Sequence, residues 1–271
     1  GQSSGKSTLL NMLFGTNFHT MNADQGRSQT TLGCFMSRAV NEKNAGQNLF
    51  VMDFEGTDGM ERGEDQNFEK QLSLFALSVA DTLIINMFTT EVGRFNAANL
   101  ALLRTVFEVN LQLFARESQP ESKPTLLFAL RDCVDDESGK VRHYAKMTEA
   151  LMKIWDAAAK PDVFADVALS DMFNLRFCCF PHYTLQRPQF DAQVDEFRTW
   201  FFDREHSKEN FVFGDSDETF RGIPLDGLSQ YLGSCWSSIK SSKELDIPSQ
   251  REMLARLRCD EIIERIVLQF G

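Results

Sequence analysis

A chain of 271 residues that is 42% hydrophobic and 25% charged has material for one large core, or for one domain and part of a second. A net charge of −11 argues against a nucleic-acid-binding surface, and no apolar run approaches the ~20 residues that cross a bilayer. Six cysteines with no C-x-x-C pair among them, and four scattered histidines, point to reduced thiols rather than to a zinc site.

The sequence opens on Gly1-Gln2-Ser3-Ser4-Gly5-Lys6-Ser7-Thr8, in which Gly5-Lys6-Ser7 is the distal half of the phosphate-binding pattern G-x-x-x-x-G-K-[ST]. Glycine lets successive main-chain N–H groups turn toward an anion, and a helix beginning near Lys6 adds its positive end. In such a loop Lys6 reaches the β- and γ-phosphates and the Ser7 hydroxyl takes Mg²⁺. The first glycine of the pattern would precede Gly1, so the strand that normally leads into the loop is expected upstream of these residues.

Leu9, Leu10 and Leu13 predict a helix over 8–14 that Gly15 stops. Residues 16–32 read as a loop, 33–40 and 49–53 as the two strands of a hairpin, and 57–66 as a polar loop. A helix over 67–79 follows, with Phe68, Leu72, Phe75, Ala76 and Val79 on one face. Next come a buried strand over 82–88, a helix over 97–114 and a strand over 124–130. Residues 134–140 read as an acidic loop, 141–159 as a helix, 175–180 as a strand, 181–188 as a loop and 189–203 as an amphipathic helix. Cys178 and Cys179 are expected on opposite faces of their strand, and Trp155, Trp200 and Trp236 in the core. Strands alternating with long helices predict an α/β domain with a mostly parallel sheet, the hairpin giving one antiparallel edge strand. The pattern changes near residue 207. We therefore expect a domain over 1–206, then a linker and the first helices of an all-helical region over 207–271, with helices over 225–241 and 249–270.

Three further motifs fall where a P-loop GTPase needs them. Thr31, with Thr30 as alternate, lies in the loop after the first helix, where a threonine closes on Mg²⁺ only when the γ-phosphate is present. Asp53-Phe54-Glu55-Gly56 matches D-x-x-G at a strand end; Asp53 would hold Mg²⁺ through water, and the Gly56 N–H would sense the γ-phosphate. Arg131-Asp132 ends a later strand. One carboxylate can accept both the N1–H and the exocyclic amine of guanine, and would reject adenine, which presents an acceptor at N1. All four motifs lie on loops at the C-terminal ends of strands, where open α/β sheets bind ligands. A rival reading takes Gly1-Gln2-Ser3-Ser4-Gly5 as G-x-S-x-G, with Ser3 as the nucleophile of a serine hydrolase and Asp132 and His182 as its partners. It leaves Lys6, Ser7, Thr31 and Asp53 without a task. Another rival is a nucleotide-locked interaction module that binds GTP with negligible hydrolysis.

The blocks from Gln2 to Thr16, Arg27-Ser28-Gln29-Thr30-Thr31, Asp53 to Asp65 and Leu127 to Asp132 resemble the root-hair-defective family of dynamin-like GTPases, counterparts of atlastins and relatives of guanylate-binding proteins. The resemblance runs to about Cys259, and Phe180-Pro181-His182 is similar to the family's guanine-capping loop. It implies GTP as substrate and Mg²⁺ as cofactor. It also implies a GTP-dependent homodimer, and an endoplasmic reticulum anchor through a distal hairpin outside these residues, with the GTPase domain facing the cytosol. Tethering and fusion of endoplasmic reticulum tubules would follow, with 207–271 as the start of the stalk; a soluble guanylate-binding-type GTPase is the alternative. Guanylate-binding proteins and atlastins carry a catalytic arginine inside the P-loop, and Ser3 stands there here. The missing charge would come from Arg27, from Arg62 or from a monovalent cation near Ser3.

Overall fold

The computed structural model describes residues 5–20, 33–40, 48–54, 66–93, 103–104, 107–108, 111, 123–134, 136–213, 223, 225–241, 259, 262–263 and 266. Strands β1 (Cys34–Arg38) and β2 (Phe50–Phe54) pair antiparallel, with Phe35 opposite Asp53. Strands β3 (Thr82–Phe88), β4 (Thr125–Arg131) and β5 (Asn174–Cys179) form a parallel sheet in that order, with Phe88 opposite Arg131 and Leu130 opposite Cys179. The α/β class and the parallel sheet are as the sequence predicts. Among the described residues the hairpin strands pair with each other, apart from the three-stranded parallel sheet. Side chains attach the hairpin, with Val51 buried in one core and Met52 and Phe54 packed against the other.

All seven residues of β4 are buried, which marks it as the central strand. Its side chains alternate between two cores. Leu126, Phe128 and Leu130 join the layer that includes α2 (Gln66–Val79), α3 (Glu137–Ala157) and α6 (Leu228–Ser241). Leu127 and Ala129 join the layer of α1 (Lys6–Phe14) and α5 (Arg187–Phe202). The same period of two sends Cys179 to the first core and Cys178 to the second, as expected for adjacent residues on a buried strand. Burial pushes the Cys179 thiol up to about 12 and that of Cys178 well above its usual value, so both act as small neutral side chains. Trp155 packs edge-on against Phe107 and Phe173, Trp200 against Phe197, and Trp236 against Phe75.

Two boundaries differ from the sequence reading. The predicted acidic loop over 134–140 ends early, because Asp136 caps α3: its carboxylate accepts from the Ser138 hydroxyl at 2.8 Å and the Gly139 N–H at 2.9 Å. These bonds hold the Asp136 carboxyl below its ordinary value. The predicted loop over 181–188 gives way to α5 at Arg187, since Pro188 is tolerated in a first turn, where its missing N–H has no partner to lose. A short helix α4 (Leu169–Met172) lies in a stretch the periodicity left unassigned. No helix among the described residues is long and apolar enough to cross a membrane.

Phe197 sits at the centre of the α5 core, fully buried, with the rings of Phe180, Trp200 and Phe201 at 5.3, 5.0 and 5.5 Å. Truncating it leaves a cavity between α5 and the end of β5. Phe197→Ala should lower unfolding stability by about 3–5 kcal/mol, read as a shift of the urea midpoint; a midpoint unchanged from wild type would show that this core does not limit stability.

Candidate functional site

Parallel pairing brings the C-terminal ends of β3, β4 and β5 to one edge of the sheet. Gly5 stands at the mouth of α1 with φ of 73°, a left-handed conformation that carries no Cβ penalty for glycine. A Cβ built on Gly5 would lie 3.7 Å from Nη2 of Arg131, so the guanidinium at the end of β4 lies against the start of α1. The first helical turn holds Lys6, Ser7 and Thr8, all half-buried. Ser7 donates its hydroxyl hydrogen to Oδ2 of Asp53 at 2.6 Å, across 46 residues of sequence. Asp53 is only 2% exposed. Together with burial, it pushes the neighbouring Cys34 thiol up to about 12, with desolvation the larger cause.

A hydroxyl and one carboxylate are hard oxygen donors. That donor set fits Mg²⁺, which takes few protein ligands and keeps waters and phosphate oxygens for the rest of its shell. Ser7 and Asp53 would hold the ion. Once bound, it would neutralise phosphate charge.

Arg131 is 6% exposed, and its charge has an unusual setting. Nη1 donates to Oδ1 of Asn86 at 3.3 Å, and the guanidinium carbon lies 5.0 Å from the centre of the Phe190 ring and 5.8 Å from that of Phe180. Nε has no hydrogen-bond acceptor among the described residues. Burial lowers the pKa of this guanidinium, against the opposing pull of Asp132 and Tyr183. Asp132 follows with φ of 58°, the one non-glycine among the described residues in the left-handed region. Its carbonyl accepts from the Thr89 hydroxyl at 3.2 Å, and the next N–H, of Cys133, donates to Phe180 O at 2.9 Å. That second bond ties the Arg131-Asp132 corner to the loop carrying Pro181 and His182.

The loop is a wound turn. His182 Nδ1 accepts from the N–H groups of Thr184 and Leu185, each at 3.2 Å, and the Gln186 N–H donates to His182 O at 2.9 Å. A hydrolase triad needs its carboxylate on that nitrogen. Here main-chain donors occupy it, which removes Asp132 and His182 as partners for Ser3 and corrects the hydrolase alternative. Gly1, Gln2, Ser3, Ser4, Arg27, Thr31, Gly56 and Arg62 lie outside the described residues.

The site also uses residues the sequence reading passed over. Asn11 accepts at Oδ1 from the Thr16 hydroxyl and the Phe18 N–H and donates through Nδ2 to Phe18 O, which fixes the exit of α1. Arg198 of α5 donates to the terminal carbonyls of Met12 and Leu13 and pairs with Asp195. Asn86 had one sequence signal: it is the single polar residue within the apolar run of β3 from Leu83 to Phe88.

Residues 1–248 match the model of the Root hair defective 3 GTP-binding protein (RHD3) GTPase domain. The chain belongs to this family. As an RHD3 GTPase domain it is a GTP hydrolase. It is 52% identical to a Protein SEY1 homolog of Trypanosoma brucei brucei over 289 residues, covering 100% of this chain and 33% of the relative. It is 51% identical over 291 residues to the Trypanosoma cruzi homolog, again covering 100% and 33%. With Protein SEY1 of Malassezia globosa the identity is 44% over 274 residues, covering 100% and 29%. The chain thus spans about a third of the length of the curated relatives it matches. In this domain Gly5 and Ser7 at the start of α1, Asp53 of β2 and Arg131 of β4 bring three separate segments together.

Proposed function

We propose that this GTPase domain powers a SEY1-like protein that fuses endoplasmic reticulum membranes by GTP-dependent homodimerisation, its anchor lying in a more distal part of the protein. The observation that carries the nucleotide reading is the 2.6 Å contact of Ser7 with Asp53 at the mouth of α1, beside the Arg131 guanidinium. Main-chain N–H groups of residues 1–8 would cradle the phosphates, and Lys6 would neutralise the β- and γ-oxygens. Ser7, Asp53 and Thr31 would hold Mg²⁺. The Gly56 N–H would sense the γ-phosphate. Asp132 would read guanine, with Pro181 and His182 over the base. Ser3 cannot supply the positive charge that an arginine at its position would, so Arg27 is the favoured donor, with Arg62 or a monovalent cation as alternates.

We read residues 1–206 as the GTPase unit and 207–271 as the linker and first stalk helices. α6 supports a route for force. Tyr231, Cys235 and Ile239 are buried in the core shared with α2, and the Tyr231 hydroxyl donates to Ser78 O at 3.2 Å. α2 directly follows the segment that holds Gly56, so a γ-phosphate signal has a short path to α6. The test is lipid mixing between vesicles of endoplasmic reticulum composition carrying the full-length protein. Mixing should require GTP with Mg²⁺ and fail with GDP. Mixing that proceeds equally with GDP would reject GTP-driven fusion.

A further inference from the structure

The Arg131-Asp132 corner is held from a strand that the GTPase motifs do not include. β3 and the turn that follows it reach both residues: Asn86 Oδ1 accepts from Arg131 Nη1, and Thr89, just past the last ladder pair, donates its hydroxyl to the Asp132 carbonyl. Thr89 is itself fixed. It opens a single 3-10 turn over Thr89–Glu91, closed by the Val92 N–H on Thr89 O at 3.2 Å and by the Phe88 N–H on Glu91 Oε2 at 2.9 Å. The peptide group joining Asp132 to Cys133 is therefore clamped at both ends: its oxygen by Thr89, its N–H by Phe180 O. This matters because Asp132 is left-handed, a region that non-glycine residues occupy only when the surroundings hold them there.

We propose that Thr89 is a specificity-determining positioning residue: its hydroxyl, with Asn86 on Arg131, fixes the Asp132 peptide in the left-handed conformation from which the carboxylate meets both donors of guanine. The proposal rests on Asp132 being the base reader. A carboxylate that must accept from N1–H and the exocyclic amine together tolerates little rotation. One free to swing would keep a single bond. The signature of losing Thr89 is thus a loss of preference for GTP over inosine triphosphate, which lacks the exocyclic amine. A loss of phosphate binding is not expected, since the groups of α1 are untouched.

The test is calorimetric titration of the full-length protein with GTP and with inosine triphosphate, in Mg²⁺, for wild type, Thr89→Val, Thr89→Ser and Asp132→Asn. Valine keeps the shape and removes the hydroxyl. We expect it to weaken GTP binding about tenfold, to weaken inosine triphosphate binding far less, and to leave the thermal midpoint within about 2 °C. Serine should restore the wild-type preference. If Thr89→Val keeps that preference while Asp132→Asn loses it, Thr89 has no positioning role and Asp132 remains the reader. If Thr89→Val weakens both nucleotides alike and lowers the midpoint, its role is structural only and the proposal is overturned. If Asp132→Asn also keeps the preference, both readings fall together.

Discussion

Lys6→Ala is expected to weaken GTP binding by about 10²–10³-fold, because a charge-assisted contact to the β- and γ-phosphates is lost. The fold should survive the change. Lys6 is half-buried in the first turn of α1, and the helix is anchored further along by Leu9, Leu10, Leu13 and Phe14, each at most 9% exposed. Its far end is closed by Arg198 and by Gly15, whose position a larger residue could not take: a Cβ there would stand 2.8 Å from Val40 O. Alanine is also a better helix former than lysine. The measurement is titration with GTP in Mg²⁺ beside a circular dichroism spectrum. Wild-type affinity in a folded variant would mean that the cradle binds through its main chain alone, and the role given to Lys6 would be lost.

What could be read from the sequence follows how local each cause is. β4 announced itself through seven residues that all had to be buried, and Cys178-Cys179 through the period of two. The first turn of α1 was legible because glycine, lysine and serine each do something no other residue type does at that spacing. The Asp136 cap has an equally local cause: its carboxylate stands three residues before the Gly139 N–H, which the first turn of α3 leaves without a main-chain acceptor. Other features have distant causes. Asn86 meets Arg131 across 45 residues and Thr89 meets Asp132 across 43, so neither role leaves a local pattern. His182 shows the reverse case. Its order after Asp132 suggested a triad, and the hydrogen bonds of its own turn decide otherwise.

Asp132→Asn is the substitution that separates base reading from every other contribution to affinity. Asparagine is among the few residues at ease in the left-handed region, so the backbone at φ of 58° and the bonds from Thr89 and to Phe180 O can persist. What changes is one acceptor into a donor. Guanine offers two donors side by side, and the amide group of asparagine would face one of them with its own N–H. A buried donor opposed by a donor should cost GTP about 10²–10³-fold in affinity. Xanthine carries a carbonyl where guanine carries the amine. The same asparagine can accept from N1–H and donate to that carbonyl, so xanthosine triphosphate should gain what GTP loses, while ATP stays weak for both proteins. Competition titrations with the three nucleotides read this directly. An exchange of preference from guanine to xanthine would identify Asp132 as the reader by chemistry rather than by loss alone. GTP affinity within twofold of wild type, with no gain for xanthosine triphosphate, would mean that another group reads the base and that the left-handed corner after β4 serves packing only.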